Sequence, residues 1–180
     1  CAGFQPLNIR PQSPICCVDP LRSPTIVGVD AGSTMLKLAQ IRVDAVGLTD
    51  RISLERRYLP DSELLTRRFD AIVSNSLLHH LVDPLVLWQT ALACGHPGAP
   101  VAIMDLVRPP DEATVNDLVT KYASDAPAVL RSDFRNSLLA AYQVEEVTAQ
   151  LKSVNLYGFT VERVTDRHIM VTGRCPTVSS

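Results

Sequence analysis

Apolar residues in this chain come in short runs separated by polar turns, and the spacing inside the runs switches between continuous and helical. Thr25-Ile26-Val27-Gly28-Val29-Asp30 is a compact β-branched run closed by an acid, the pattern of a strand buried on both faces. Ser33 then stands as a candidate N-cap. Met35, Leu36, Leu38 and Ala39 recur at helical positions and predict a helix to about Ala45. From Arg51 to Tyr58, Ile52 and Leu54 alternate with Ser53 and Glu55 and predict a second strand. Phe69 to Ser74 predicts a third, apolar enough to be central. Asp83-Pro84 reads as an N-cap followed by proline at the first helical position, where its missing N–H costs nothing. Leu85, Trp88 and Leu92 continue that helix, and Gly95 stops it. Val101 to Asp105 is a fourth strand, again ending at an acid. Beyond Pro109-Pro110 the pattern predicts helices over about 111–122, 132–142 and 144–154. Thr160 to Val164 and His168 to Thr172, joined by a short turn, predict an antiparallel hairpin.

Strands and helices that alternate, with continuously apolar strands, predict an α/β fold: a doubly wound, mostly parallel sheet covered on both faces, spanning residues 25–174. The closing hairpin places an antiparallel strand at one edge. Residues 1–24 carry five prolines and no sustained period, so they read as an irregular N-terminal segment. Ile15 to Val18 is the stretch there that fits a short strand, and residues 175–180 read as a frayed tail. With so little upstream to cover them, Ile26, Val27, Val29 and part of the Phe69 to Val73 strand are expected on an exposed apolar flank.

Composition narrows the classes. Lys plus Arg (17) nearly balance Asp plus Glu (19) among 180 residues, so no broad basic surface marks a nucleic acid or an anionic membrane as partner. No apolar stretch is long enough to span a bilayer, and no leader of the secretory kind opens the chain. The five cysteines show no paired spacing, which indicates neither a zinc site nor a disulfide framework and fits a reduced, cytoplasmic setting.

Open parallel sheets bind ligands outside the carboxyl ends of their strands. Four loops leave such ends here: after Asp30, after Tyr58, from Ser74 to His80, and after Asp105. Asp30, followed by the small-residue turn Ala31-Gly32-Ser33, suits an acceptor for two ribose hydroxyls and equally suits a helix cap. His79 and His80 are adjacent and project in different directions, which disfavours joint chelation of an ion. Either fits a general base, since histidine titrates near neutrality, and both also fit a packing role in their loop. Asp105 reads as the end of its strand or as support for the site. Tyr122, Phe134 and Tyr142, with Asp133, Arg135 and Asn136, lie in the long segment before the hairpin, which reads as a lid.

Phe69-Asp70-Ala71-Ile72-Val73-Ser74-Asn75-Ser76-Leu77-Leu78-His79-His80-Leu81, followed by Asp83-Pro84, resembles the fourth-strand motif of class I S-adenosylmethionine-dependent methyltransferases. Pro97 to Asp105 resembles the family's fifth-strand motif, and Gly28-Val29-Asp30 with Ser33 and Met35-Leu36 its second-strand motif. The resemblance implies a seven-stranded doubly wound fold whose last strand is antiparallel, with S-adenosylmethionine as cofactor. It implies that Asp30 and Ala31 hold the cofactor ribose, that Tyr58 and Leu59 lie beside the adenine, and that Ser74, Asn75 and Ser76 line the methionine arm. Two features depart from the family. Its glycine-rich first turn has no counterpart in residues 1–24, and Arg56-Arg57-Tyr58 stands where many relatives carry an acid. Asn75-Ser76-Leu77 also lacks the Pro-Pro-aromatic run of many base-modifying relatives, which favours a small-molecule acceptor. The expected function is methyl transfer to such an acceptor; the alternative is a non-catalytic or truncated domain with impaired cofactor binding. A nicotinamide oxidoreductase would need its own glycine fingerprint before Asp30.

Overall fold

The computed structural model describes residues 25–177 and, by backbone alone, residues 13–16. The elements run β1 (Ser13–Cys16), β2 (Ile26–Asp30), α1 (Ser33–Ala45), β3 (Ile52–Arg56), β4 (Ile72–Asn75), α2 (Leu85–Cys94), β5 (Pro100–Leu106), α3 (Glu112–Ala123), α4 (Ala128–Ala140), α5 (Val144–Ser153), β6 (Thr160–Arg163) and β7 (His168–Arg174). Single 3-10 turns at Leu64–Thr66 and Leu78–His80 follow β3 and β4. The strands form one sheet in the order β3-β2-β1-β4-β5-β7-β6.

The parallel pairs are β2 with β3, where Asp30 lies opposite Arg56, and β4 with β5, where Asn75 lies opposite Met104. Between them sits β1, and it runs the other way: Ile15 faces Val29, and Ser13 faces Asn75, both antiparallel. Only residues 17–25 connect β1 to β2. A parallel crossover needs a dozen or more residues and usually a helix, so this link permits only the reversed direction. The strand lies at Ser13–Cys16, two residues upstream of the expected Ile15 to Val18. Residues 1–12, 17–24 and 178–180 lie outside the described residues, as do the irregular segment and tail expected there.

The hairpin forms, but its antiparallel member is not at the edge. β7 pairs with β5 along its whole length, from Pro100 opposite Arg174 to Leu106 opposite His168, and β6 takes the edge. The reason is apolar content: Ile169 and Val171 of β7 are buried, whereas the four residues of β6 are all partly or fully exposed.

One face of the sheet carries the main core. Leu87, Trp88 and Ala91 of α2 and Val147 and Leu151 of α5 pack on Ile72, Val101, Ile103, Ile169 and Val171. Trp88 donates its indole N–H to Gln150 at 3.0 Å, tying α2 to α5. The opposite face is covered by α1 only where it packs on β2 and β3. Because strand side chains alternate, Ile72 and Ser74 are buried while Val73 between them is 40% exposed. The expected exposed flank is therefore smaller than the sequence suggested. Val29 is buried and Val27 packs against the core, since β1 fills the slot beside β2.

Candidate functional site

The carboxyl ends of β2, β3, β4 and β5 lie along one edge of the sheet, and the loops leaving them gather most of the residues singled out from sequence. At the end of β2 the Asp30 carboxylate accepts the Gly32 amide at 2.6 Å through Oδ1. Gly32, not Ser33, is the N-cap of α1, and Ser33 is its first helical residue. A side chain at position 32 would put its Cβ 3.0 Å from Asp30 Oδ1, so a glycine there lets the turn close on the acid. Among the described residues no hydrogen bond reaches Asp30 Oδ2. Ala31 is exposed at the head of the turn.

From β3, Arg56 donates to the Ala31 carbonyl at 3.1 Å and to the Tyr58 hydroxyl at 2.7 Å, bridging the two loops. Tyr58 is 63% exposed, and the Arg56 guanidinium lies over its ring. Leu59 turns inward against the core. Arg57 points elsewhere, into Glu55, Asp61 and Glu63, while Arg67 also holds Glu55. Burial raises the Glu55 carboxyl, but the Arg67 and Arg57 hydrogen bonds outweigh it and the net shift is downward.

The β4 loop is the tightest part. Ser74 is 1% exposed and faces the core, with no hydrogen-bond partner for Oγ among the described residues. Asn75 and Ser76 are half-buried at the strand end. Ser76 sits in the left-handed region at φ 54° and donates its amide to Met104 at 2.9 Å. The turn Leu78–His80 then hangs on Asp105, which is 1% exposed. Asp105 accepts the Leu78 amide at 2.7 Å, the His79 Nδ1 at 2.5 Å and the Leu106 amide at 2.7 Å. Asp105 thus fastens the β4 loop to β5, a role that the bare pattern of a strand ending in an acid does not reveal.

The two histidines part company as expected. His79 is 8% exposed against Asp105, while His80 lies outward with its ring centroid 4.0 Å from that of His79. Burial first, then the neighbouring His79, lowers the His80 pKa; Asp105 and Asp30 oppose the shift, so His80 lies within electrostatic reach of both acids.

The segment between β5 and α5 divides. Phe134 packs with Leu118, Leu138 and Val115 in a small core of its own, and Tyr122 donates to Asp166 in the β6–β7 turn at 2.7 Å. Tyr142 stays at the strand end, where its carbonyl accepts the Arg108 amide. Burial, then the Glu146 and Asp83 carboxylates, raise the Tyr142 pKa. α4 packs against the Leu78–His80 turn. A small apolar cavity lined by Val27, Val29, Ile72 and Thr90 lies under the sheet, away from these ends.

Residues 16–103 match the family model described as a methyltransferase domain. The chain belongs to the class I methyltransferases. The fold agrees. A SAM-dependent methyltransferase from Aquifex aeolicus superposes with a TM-score of 0.57 at 18% identity, covering 83% of this chain and 68% of that one. An O-methyltransferase family protein from Burkholderia thailandensis gives 0.59 at 14% identity, covering 85% and 44%. The plantazolicin methyltransferase BpumL, solved with a substrate analogue and SAH, gives 0.60 at 10% identity, covering 83% and 67%. The chain therefore spans between 44% and 68% of the length of these three chains. Among curated proteins none matches it in sequence.

The cofactor of this methyltransferase family is S-adenosylmethionine. The strand ends fit it in part. Asp30 is an acceptor-only group at the end of β2, with one oxygen anchored to Gly32 and the other unengaged by any described residue. That donor set suits a ribose diol. The slot beside it does not hold a parallel strand running into a glycine-rich turn. It holds reversed β1, whose amino end, at Ser13, lies opposite Asn75.

Proposed function

We propose that this chain transfers a methyl group from S-adenosylmethionine to a small-molecule acceptor, in a cytoplasmic setting. The observation that carries the reading is the convergence, on one sheet edge, of Asp30 with the β4 loop that Asp105 clamps. Asp30 and Ala31 hold the ribose, Tyr58 and Leu59 flank the adenine, and Asn75 and Ser76 line the methionine arm. Ser74, buried against the core, supports that arm from beneath its backbone. When bound, the cofactor supplies an electrophilic methyl group whose bond to sulfur breaks with the electron pair left on sulfur. The protein's part is positioning and proton handling. α4, packed on the Leu78–His80 turn, forms one wall of the acceptor side.

A second reading, a methyltransferase fold with impaired cofactor binding, is favoured by the reversed β1. Its direction removes the amides that a glycine-rich turn would aim at the cofactor. Calorimetric titration of the full chain with S-adenosylhomocysteine separates the two. Weak, saturable binding supports methyl transfer. An absence of heat, with no shift in the thermal unfolding of the same sample, supports the second reading.

A further inference from the structure

We propose that Asp105 and His79 form an acid–imidazole pair that holds a proton-accepting nitrogen ready on the acceptor side of the site, and that His79, not the more exposed His80, is the base. The inference rests on the methyl-transfer reading for its purpose, though not for its geometry. An ionised carboxylate only accepts hydrogen bonds, so the 2.5 Å contact with Asp105 Oδ1 places the imidazole proton on Nδ1 and leaves the lone pair on Nε2. Asp105 cannot swing away to serve another group. The Leu78 and Leu106 amides hold both of its oxygens, and the side chain is sealed from water at 2% exposure. Nothing among the described residues hydrogen-bonds His79 Nε2. The turn that carries His79 is packed by α4, the helix in the segment that walls the acceptor side. His80 lacks a carboxylate so placed, and burial beside His79 makes it the weaker base.

The chemistry balances for a hydroxyl or amine acceptor. Its X–H bond breaks, the proton passes to Nε2, and the electron pair of that bond stays on the acceptor atom, which bonds to the methyl carbon. His79 becomes an imidazolium stabilised by Asp105, then returns the proton to solvent. Asp105 is the positioning residue, acting through His79.

The test uses the full chain with ¹⁵N-labelled histidine. Long-range proton–nitrogen spectra of the wild-type protein should show His79 with its proton on Nδ1. Diethyl pyrocarbonate, which acylates an unprotonated ring nitrogen, should label His79 at Nε2, as mapped by mass spectrometry. Asp105→Asn should move the proton to Nε2, because the amide now donates to Nδ1, and should slow His79 labelling at least about tenfold. His79 found with its proton on Nε2 in the wild-type chain overturns the proposal, as do equal labelling rates in wild type and Asp105→Asn. The tautomer is read on wild-type protein, so it decides the matter even where the variant fails to fold. S-adenosylhomocysteine titrated into the same samples keeps the two readings apart. A wild-type chain that binds none of it, yet shows the Nδ1 tautomer and the labelling difference, sinks the methyl-transfer reading and keeps the pair.

Discussion

β2 and β5 both end in an aspartate, and the two live under opposite conditions. Asp105 is buried with three donors on its two oxygens. Asp30 is half-exposed with one amide on one oxygen. The strand patterns that lead to them are nearly alike, an apolar run closed by an acid. The difference lies in what sits beyond the strand. β5 is interior and its end faces the β4 loop, so its acid must be satisfied by protein. β2 ends at the open edge, where an acid keeps acceptor capacity for a ligand. One acid holds the protein together and the other is left to bind.

The comparison is sharpest in stability. Asp105→Ala strands the Leu78 amide and the His79 ring in a site without water, and losing one partner of a buried pair costs about 3–5 kcal/mol. Chemical denaturation should show a loss of that order. Asp30→Ala should cost no more than about 1 kcal/mol, because it removes a single hydrogen bond at the start of α1. Equal losses at the two positions would mean that Asp30 is as structural as Asp105.

Ile72 and Val73 extend the same lesson to the two faces of the sheet. Ile72→Ala empties a fully enclosed site in the main core and should cost about 2–5 kcal/mol. Val73→Ala, on the face that α1 leaves open, should stay within about 1 kcal/mol. A large loss at Val73 would show that this face is covered in solution.

Binding should invert the ranking of the aspartates. A carboxylate accepting ribose hydroxyls makes charge-assisted hydrogen bonds, so Asp30→Ala should weaken S-adenosylhomocysteine binding at least about tenfold, or ~1.4 kcal/mol. Unchanged affinity by calorimetry would return Asp30 to the role of closing its turn.

Most of the sheet was legible because its strands are short, apolar and bounded by acids, glycines and prolines. β2, β3, β4 and β5 each fall within about three residues of their expected bounds, and α1 runs from Ser33 to Ala45 as the pattern predicts. The place of β7 was not legible. A hairpin signal says that two strands pair, not which of them finds the better neighbour, and that was decided by the apolar face of Ile169 and Val171 meeting β5. The direction of β1 follows from the length of its link to β2, a constraint visible only once the strand is known to exist. At the site, the strand-end acids were visible and their division of labour was not, since hydrogen bonds across the 26 residues from His79 to Asp105 leave no local period.

A third aspartate gives the smallest effect and tests whether exposure alone sets these differences. Asp166, in the β6–β7 turn, accepts Lys121 Nζ at 2.8 Å and the Tyr122 hydroxyl at 2.7 Å, latching α3 to the hairpin. The Lys121 hydrogen bond, then that of Tyr122, lowers its pKa from 3.8 to about 2. A carboxyl depressed in the folded state contributes stability that is fully present above its ordinary pKa and is lost as pH falls through the folded one. The latch should therefore hold at neutral pH, weaken below about pH 3.8, and release as the pH falls through about 2. A carbonyl-carbon NMR titration of Asp166 reads the pKa, and Lys121→Met should return it toward 3.8 while leaving global unfolding nearly unchanged, as exposed ion pairs usually do. Titration near 3.8 in the wild-type chain would mean that the latch is open in solution and that, of the three aspartates, only Asp105 is held by its partners.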